Sequence, residues 1–117
     1  MLIFKIVHAA EWRAVARDGF YAGSSKDRAD GFLHFSTSGQ VPGTLQKHYS
    51  GMTDLILVCV DAERLGPALK FEPARDGSLF PHLYGTLALS AVEWSRALER
   101  DPSGAFRLPA ELDAARR

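Results

Sequence analysis

Much of what would mark a specialised class is scarce in this chain. There is one cysteine, Cys59, in 117 residues, so no intramolecular disulfide forms, and its place inside the run Leu55–Val60 reads as that of a small buried hydrophobe. There is no excess of either charge: 14 basic and 14 acidic residues cancel. That balance argues against an electrostatically driven nucleic-acid or membrane binder, though it leaves open a local basic cluster of Arg96, Arg100, Arg107, Arg116 and Arg117 near the C-terminus. The longest apolar run, Leu55–Val60, is far too short to cross a bilayer, and the N-terminus lacks a signal-peptide pattern. A cytoplasmic protein without a membrane partner is expected. The histidines at 8, 34, 48 and 82 stand singly, with no His-x-x-x-His and no paired cysteine, so no metal is expected. Gly23-Ser24-Ser25 is not a nucleophile elbow, and no glycine-rich phosphate loop occurs.

What is present fits one domain over residues 1–117, with 46% hydrophobic and 24% charged residues, enough for a single core. The β-branched and aromatic content of Leu2–Val7 predicts a strand. Ala9–Asp18 predicts a helix with Trp12, Val15 and Ala16 on one face and Gly19 as its left-handed cap. Gly23–Asp30 reads as a polar loop and residues 31–36 as a strand. Val41–Tyr49 reads as a helix with Val41, Leu45 and His48/Tyr49 inward. Thr37 and Gln40 have capping-box spacing, but Pro42 fits only a first turn, which favours a start nearer Gly39. Leu55–Val60, apolar throughout, predicts a strand covered on both faces.

Beyond it, Asp61–Leu65 predicts a helical turn stopped by Gly66-Pro67. Short strands follow at Ala68–Glu72, Leu79–Tyr84 and Ala88–Trp94. Asp101-Pro102-Ser103-Gly104 predicts a turn joining Ser95–Glu99 to Ala105–Leu108 as a hairpin, and Ala110–Arg117 a fraying charged tail. This order indicates an α+β domain.

Two stretches carry the chemistry: Gly31-Phe32-Leu33-His34-Phe35-Ser36-Thr37 and Phe80-Pro81-His82-Leu83-Tyr84-Gly85. Alternate residues of a strand share a face, which sets His34 with Phe32 and Ser36, and His82 with Phe80 and Tyr84. Each histidine beside a hydroxyl offers a donor, an acceptor or a general base near neutral pH; a partly buried histidine bonded to a neighbouring carbonyl fits the same spacing. Pro81 implies an edge strand or an interrupted ladder. Lys5, mid-strand between Ile3 and Val7, requires solvent or an anion. Lys26, Arg28 and Arg75 read as solvated loop charges, and Trp12 and Trp94 as core.

Ala-Glu-Trp at 10–12, Gly-Phe-Leu-His-x-Ser-Thr at 31–37 with Gln40, the strand 55–60, Lys70-Phe71-Glu72 and Phe-Pro-His-Leu-Tyr-Gly at 80–85 resemble the bacterial domain-of-unknown-function family 952, over about residues 2–95. That family in turn resembles the ADP-ribosyltransferase fold, a split β-structure with flanking helices around an NAD cleft. Its nearest layout is that of the NAD-dependent RNA 2′-phosphotransferases. The resemblance aligns helix 9–18 with the glycine-closed helix of those enzymes and Leu33-His34-Phe35-Ser36 with their histidine strand. It places Lys5 where their ribose-gripping histidine stands, and their Gly-Thr is missing.

Two functions follow as expectations. In one, the cleft binds a nucleotide or phosphorylated small ligand through Lys5, Thr37, Gln40, Glu72 and Tyr84. In the other, it belongs to an ADP-ribosyl- or 2′-phosphotransferase-type enzyme using NAD, with His34, Ser36 and His82 as catalytic groups.

Overall fold

The computed structural model describes residues 1–115 and opens with β1 (Leu2–His8), the strand expected there. Helix α1 (Ala9–Asp18) follows directly, and Gly19, at φ 80°, closes it by donating its N–H to the Val15 carbonyl at 2.7 Å. After β2 (Phe20–Tyr21) come α2 (Ser25–Asp30), β3 (Leu33–His34) and β4 (Ser36–Thr37). A 3₁₀ turn over Ser38–Gln40 leads into α3 (Val41–His48), with Pro42 in its first turn. The chain continues through β5 (Leu55–Asp61), a 3₁₀ segment Ala62–Ala68 kinked at Gly66, β6 (Leu69–Pro73) and β7 (Leu79–Leu83). Then come β8 (Leu87–Ala88), a 3₁₀ turn Leu89–Ala91, β9 (Val92–Arg100), β10 (Phe106–Arg107) and α4 (Ala110–Ala115).

All strand pairs are antiparallel, in a five-stranded sheet of order β10–β9–β5–β1–β4, a three-stranded sheet β3–β7–β6 and a small β2–β8 pair. The uninterrupted apolar run of β5 is explained by its central place. Leu55, Leu57 and Cys59 face one buried layer, with Phe4, Ile6, Val41, Leu45 and Leu112. Val58 and Val60 face the other, with Ile3, Val7, Val15, Phe35 and Leu83, and Trp12 of α1 packs against it. Each such side chain contributes about 1.5–3 kcal/mol on full burial, and burial pushes the Cys59 thiol up to about 11.

Several expectations are corrected. Gly23–Asp30 is not a loop. Ser24 accepts from the Asp27 N–H at 3.1 Å while Asp27 accepts from the Ser24 N–H at 2.9 Å, a reciprocal cap that starts α2. Residues 31–36 are not one strand: β3 pairs with β7 and β4 with β1, so the chain crosses between sheets at Phe35. In α1 Val15 is buried and Ala16 exposed, and after α3 Tyr49 rather than His48 turns inward. The strand expected over Ala88–Trp94 is split by the turn at Leu89–Ala91, and its second part runs on to Arg100.

The tail expected to fray begins as α4, anchored by the fully buried Leu112 and by Glu111 bonding Arg96. Of the basic cluster, Arg100 donates to the carbonyls of Met52 and Gly104 and lies 4.0 Å over the Phe106 ring. Arg116 and Arg117 lie outside the described residues.

Candidate functional site: a histidine row on the small sheet

The register of the small sheet builds the site. β3 sets His34 directly opposite His82 of β7, and β6 sets Lys70 opposite His82 from the other side. Strand alternation adds Phe32, Tyr84 and Glu72 to the same face. The imidazoles meet edge-on with ring centroids 5.5 Å apart. Phe32 stacks on His82 at 4.1 Å and lies 4.6 Å from His34 and 5.2 Å from Tyr84. Pro81 does not make β7 an edge, since β7 is the middle strand. Its effect is the other one expected: β3 pairing stops at His34–His82, and Phe35 donates instead to the Pro81 carbonyl at 2.9 Å.

Each histidine is held by carboxylate. Glu72 Oε1 takes His82 Nδ1 at 2.8 Å and the Tyr84 hydroxyl at 2.7 Å. Tyr84 first, and His82 second, hold the Glu72 carboxyl below its usual range. His34 Nδ1 lies 2.6 Å from Asp27 Oδ1 and its Nε2 lies 2.9 Å from Asp30 Oδ2. The two rings therefore differ in one respect: His34 faces a carboxylate at both nitrogens, His82 at Nδ1.

The floor of the site is Lys5. Its ammonium reaches Asp27 Oδ2 at 2.9 Å and the His34 carbonyl at 2.9 Å, so the anion its position demands comes from this chain. Burial pulls the Lys5 ammonium down from its ordinary value, against the attraction of Asp27. Burial alone would raise the Asp27 carboxyl, but the His34 bond, the Lys5 charge and the Ser24 N–H outweigh it and hold Asp27 well below the carboxylate range. Tyr21 lines the same interior, donating to Glu11 at 3.1 Å, and burial raises its phenol above the usual range. Gly23 allows the approach: at φ +109°, a Cβ there would lie 2.7 Å from Leu33 Cδ2 and 2.9 Å from Asp27 Cβ.

Of the residues singled out in the sequence, His34, His82, Tyr84 and Glu72 come together, with Lys5 beneath. Ser36 does not join them. The crossing at Phe35 buries it, and its hydroxyl meets Thr44 Oγ1 at 3.0 Å. Thr37 and Gln40 make local structure, the Thr37 N–H donating to Gln40 Oε1 at 2.9 Å while Gln40 Nε2 donates to the Leu79 carbonyl at 2.8 Å. Asp27 and Asp30 were missed with the helix that carries them, although Ser24-x-x-Asp27 is a capping pattern. Lys70 was missed because only register places it beside His82. A cavity of about 280 Å³ lined by Arg64, Leu83, Thr86, Ser90 and neighbours contains none of these histidines.

The fold and this face define a small antiparallel α+β protein with paired, carboxylate-braced histidines on a secondary sheet. The chain belongs to the family described as "Protein of unknown function (DUF952)", whose model matches residues 6–95. It is similar to protein CC0527 from Caulobacter crescentus. The crystal structure of that protein is 42% identical with a TM-score of 0.90, over 97% of this chain and 99% of that one. Its solution NMR structure is 43% identical with a TM-score of 0.80, over 89% and 90%. No curated protein matches the chain. No helix among the described residues is long and apolar enough to cross a membrane.

Proposed function

We propose that this protein binds a nucleotide or a phosphorylated small ligand on the face formed by Phe32, His34, Lys70, His82 and Tyr84, as part of an ADP-ribosyltransferase-like cleft. The observation that carries the reading is the cross-strand register His34–His82–Lys70 beside the aromatic rings of Phe32 and Tyr84. Aromatic faces accept a base by stacking, and imidazole and ammonium donors suit phosphate oxygens. The carboxylates nearby do not oppose this. Asp27 is offset by Lys5, Asp30 is shared between His34 and Lys26, and Glu72 is bonded by His82 and Tyr84.

Lys5 enters this reading as the support of His34 rather than as a ligand contact, because its ammonium is already doubly bonded and only 5% of it is exposed. The test is amide NMR titration with ADP-ribose, 5′-AMP, NAD and inorganic phosphate. Shifts centred on Phe32, His34, Lys70, His82 and Tyr84 are expected. Shifts elsewhere, or none at millimolar ligand, would overturn it.

A second reading, an NAD-dependent transferase, is favoured by the Glu72–His82 contact, since a carboxylate at Nδ1 orients an imidazole for proton transfer at Nε2. Release of nicotinamide from NAD by the wild-type protein, lost in His82→Gln, is its expected signature, and intact NAD after prolonged incubation would remove it.

A further inference from the structure

We propose that the His34–His82–Lys70 row is an acid–base site for ribonucleotide phosphodiesters, cleaving them by attack of the adjacent 2′-hydroxyl. The proposal rests on the binding reading above and adds a reaction to it. One line across three strands holds two imidazoles and an ammonium on a single face, with neighbouring strands about 4.8 Å apart. Internal transesterification of a ribonucleotide diester needs a base at the attacking hydroxyl, an acid at the leaving oxygen and a cation for the charge that gathers on the phosphoryl oxygens.

The differing environments of the rings assign these roles. His34 Nδ1 and Nε2 each lie within 3 Å of a carboxylate oxygen, at 2.6 Å from Asp27 and 2.9 Å from Asp30. With a carboxylate oxygen beside each ring nitrogen, His34 is assigned the acid's part, the Asp27–Lys5 pair fixing its orientation from below. His82 meets a carboxylate at Nδ1 alone, Glu72 at 2.8 Å, so its Nε2 is the nitrogen turned to substrate and His82 is assigned the base's part. Lys70, over the Tyr84 ring at 5.2 Å, is the cation.

In the step, His82 Nε2 takes the 2′-hydroxyl proton and the 2′-oxygen bonds to phosphorus. The bond from phosphorus to the 5′-oxygen breaks, and His34 Nε2, released by Asp30, gives its proton to that oxygen. The products are a 2′,3′-cyclic phosphate and a free 5′-hydroxyl, and no other reactant is consumed. Hydrolysis of the cyclic phosphate by the reverse proton transfers, with water in place of the 5′-hydroxyl, restores both rings. Asp30, 39% exposed and bonded also to Lys26 at 3.4 Å, has an alternative partner when His34 donates to substrate. The net charge of zero suits a short diester rather than a long polyanion.

The experiment incubates the full chain with uridylyl-adenosine and with its 2′-deoxy analogue, following products by phosphorus NMR. Cyclic phosphate is expected from the ribo form alone. His34→Gln and His82→Gln should each lose about 100-fold or more, and Lys70→Met about tenfold with partial recovery in Lys70→Arg. Lys70 is exposed, so its variants keep the test decisive if a histidine variant fails to fold, and the 2′-deoxy comparison needs no variant at all. Cleavage that persists in either folded histidine variant, or that ignores the 2′-hydroxyl, overturns the proposal. So does an uncleaved ribo form. If the 2′-deoxy analogue then still shifts the Phe32, His82 and Tyr84 resonances, the binding reading stands without the reaction; with no shifts, both fall.

Discussion

Lys5 and Asp27 form an ion pair of 2.9 Å with 5% and 2% of their side chains exposed, and the two of them hold His34 by its carbonyl and its ring. A charged pair inside an apolar layer contributes little net stability, because desolvation offsets most of the attraction. Its value here is geometric. It fixes the ring on which the small sheet's face is organised.

The losses from removing the two partners should therefore be far from additive. Asp27→Asn leaves a buried ammonium and is expected to destabilise the protein by about 3–5 kcal/mol. Lys5→Met with Asp27→Asn should be less destabilised than the sum of the two single changes. Urea unfolding of the four proteins measures the coupling. Strictly additive effects would show that the pair is not the unit described.

The same network sets an acid limit. The Asp27 carboxyl is held below its ordinary value in the folded protein, so the unfolded chain takes up its proton first as pH falls. The stability it contributes is complete above the unfolded value, near pH 3.9, and drains away below it. Denaturation midpoints followed from pH 6 to pH 2 should fall steeply below about pH 4, and the fall should be shallower in Asp27→Asn. An acid limb of equal slope in both proteins would assign the loss to other carboxylates.

Much of the frame was legible in the sequence. β1, α1 with its Gly19 cap, central β5 and the β9–β10 hairpin all announce themselves through local pattern, and the His34/His82 convergence follows from alternation once the strands pair. What was not legible depends on contacts between distant residues. Phe35 carries the chain from one sheet to the other, and that crossing separates Ser36 from His34 although strand periodicity puts them together. Lys70 joins the row only through the β6–β7 register. Lys5 is understood only when Asp27 is known to lie beneath His34, and Asp27 was hidden in a segment whose polarity suggested a loop.

Ser36 and Glu72 should consequently behave as opposites. Ser36→Ala removes one partly buried hydroxyl bond to Thr44 and should cost about 0.5–1.5 kcal/mol while leaving the His34 and His82 ring resonances in place. Glu72→Gln lies on the surface, should change stability little, and should disturb both His82 and Tyr84, whose shared acceptor it alters. Side-chain NMR of the histidines distinguishes the two. The reverse pattern would return Ser36 to the site and make Glu72 a bystander.

Gly23 gives the sharpest test of how the site is supported, because Gly31 supplies an internal control. Both have positive φ, +109° and +86°, but a Cβ at Gly31 meets nothing within 4 Å, whereas at Gly23 it would meet Leu33 Cδ2 at 2.7 Å and Asp27 Cβ at 2.9 Å. Gly31→Ala should therefore show backbone strain alone, about 1–2 kcal/mol. Gly23→Ala adds overlap, typically about 1–3 kcal/mol further. The Leu33 methyl can swing aside, but Asp27 Cβ is fixed by the helix cap, so relief must come from moving α2. That motion carries Asp27 and Asp30 away from His34. Gly23→Ala is thus expected to be the less stable variant and to shift the His34 and His82 ring resonances, with Gly31→Ala leaving them near wild-type positions. Equal stability losses and unchanged rings in both variants would mean that the close approach at Gly23 does not position the histidine row.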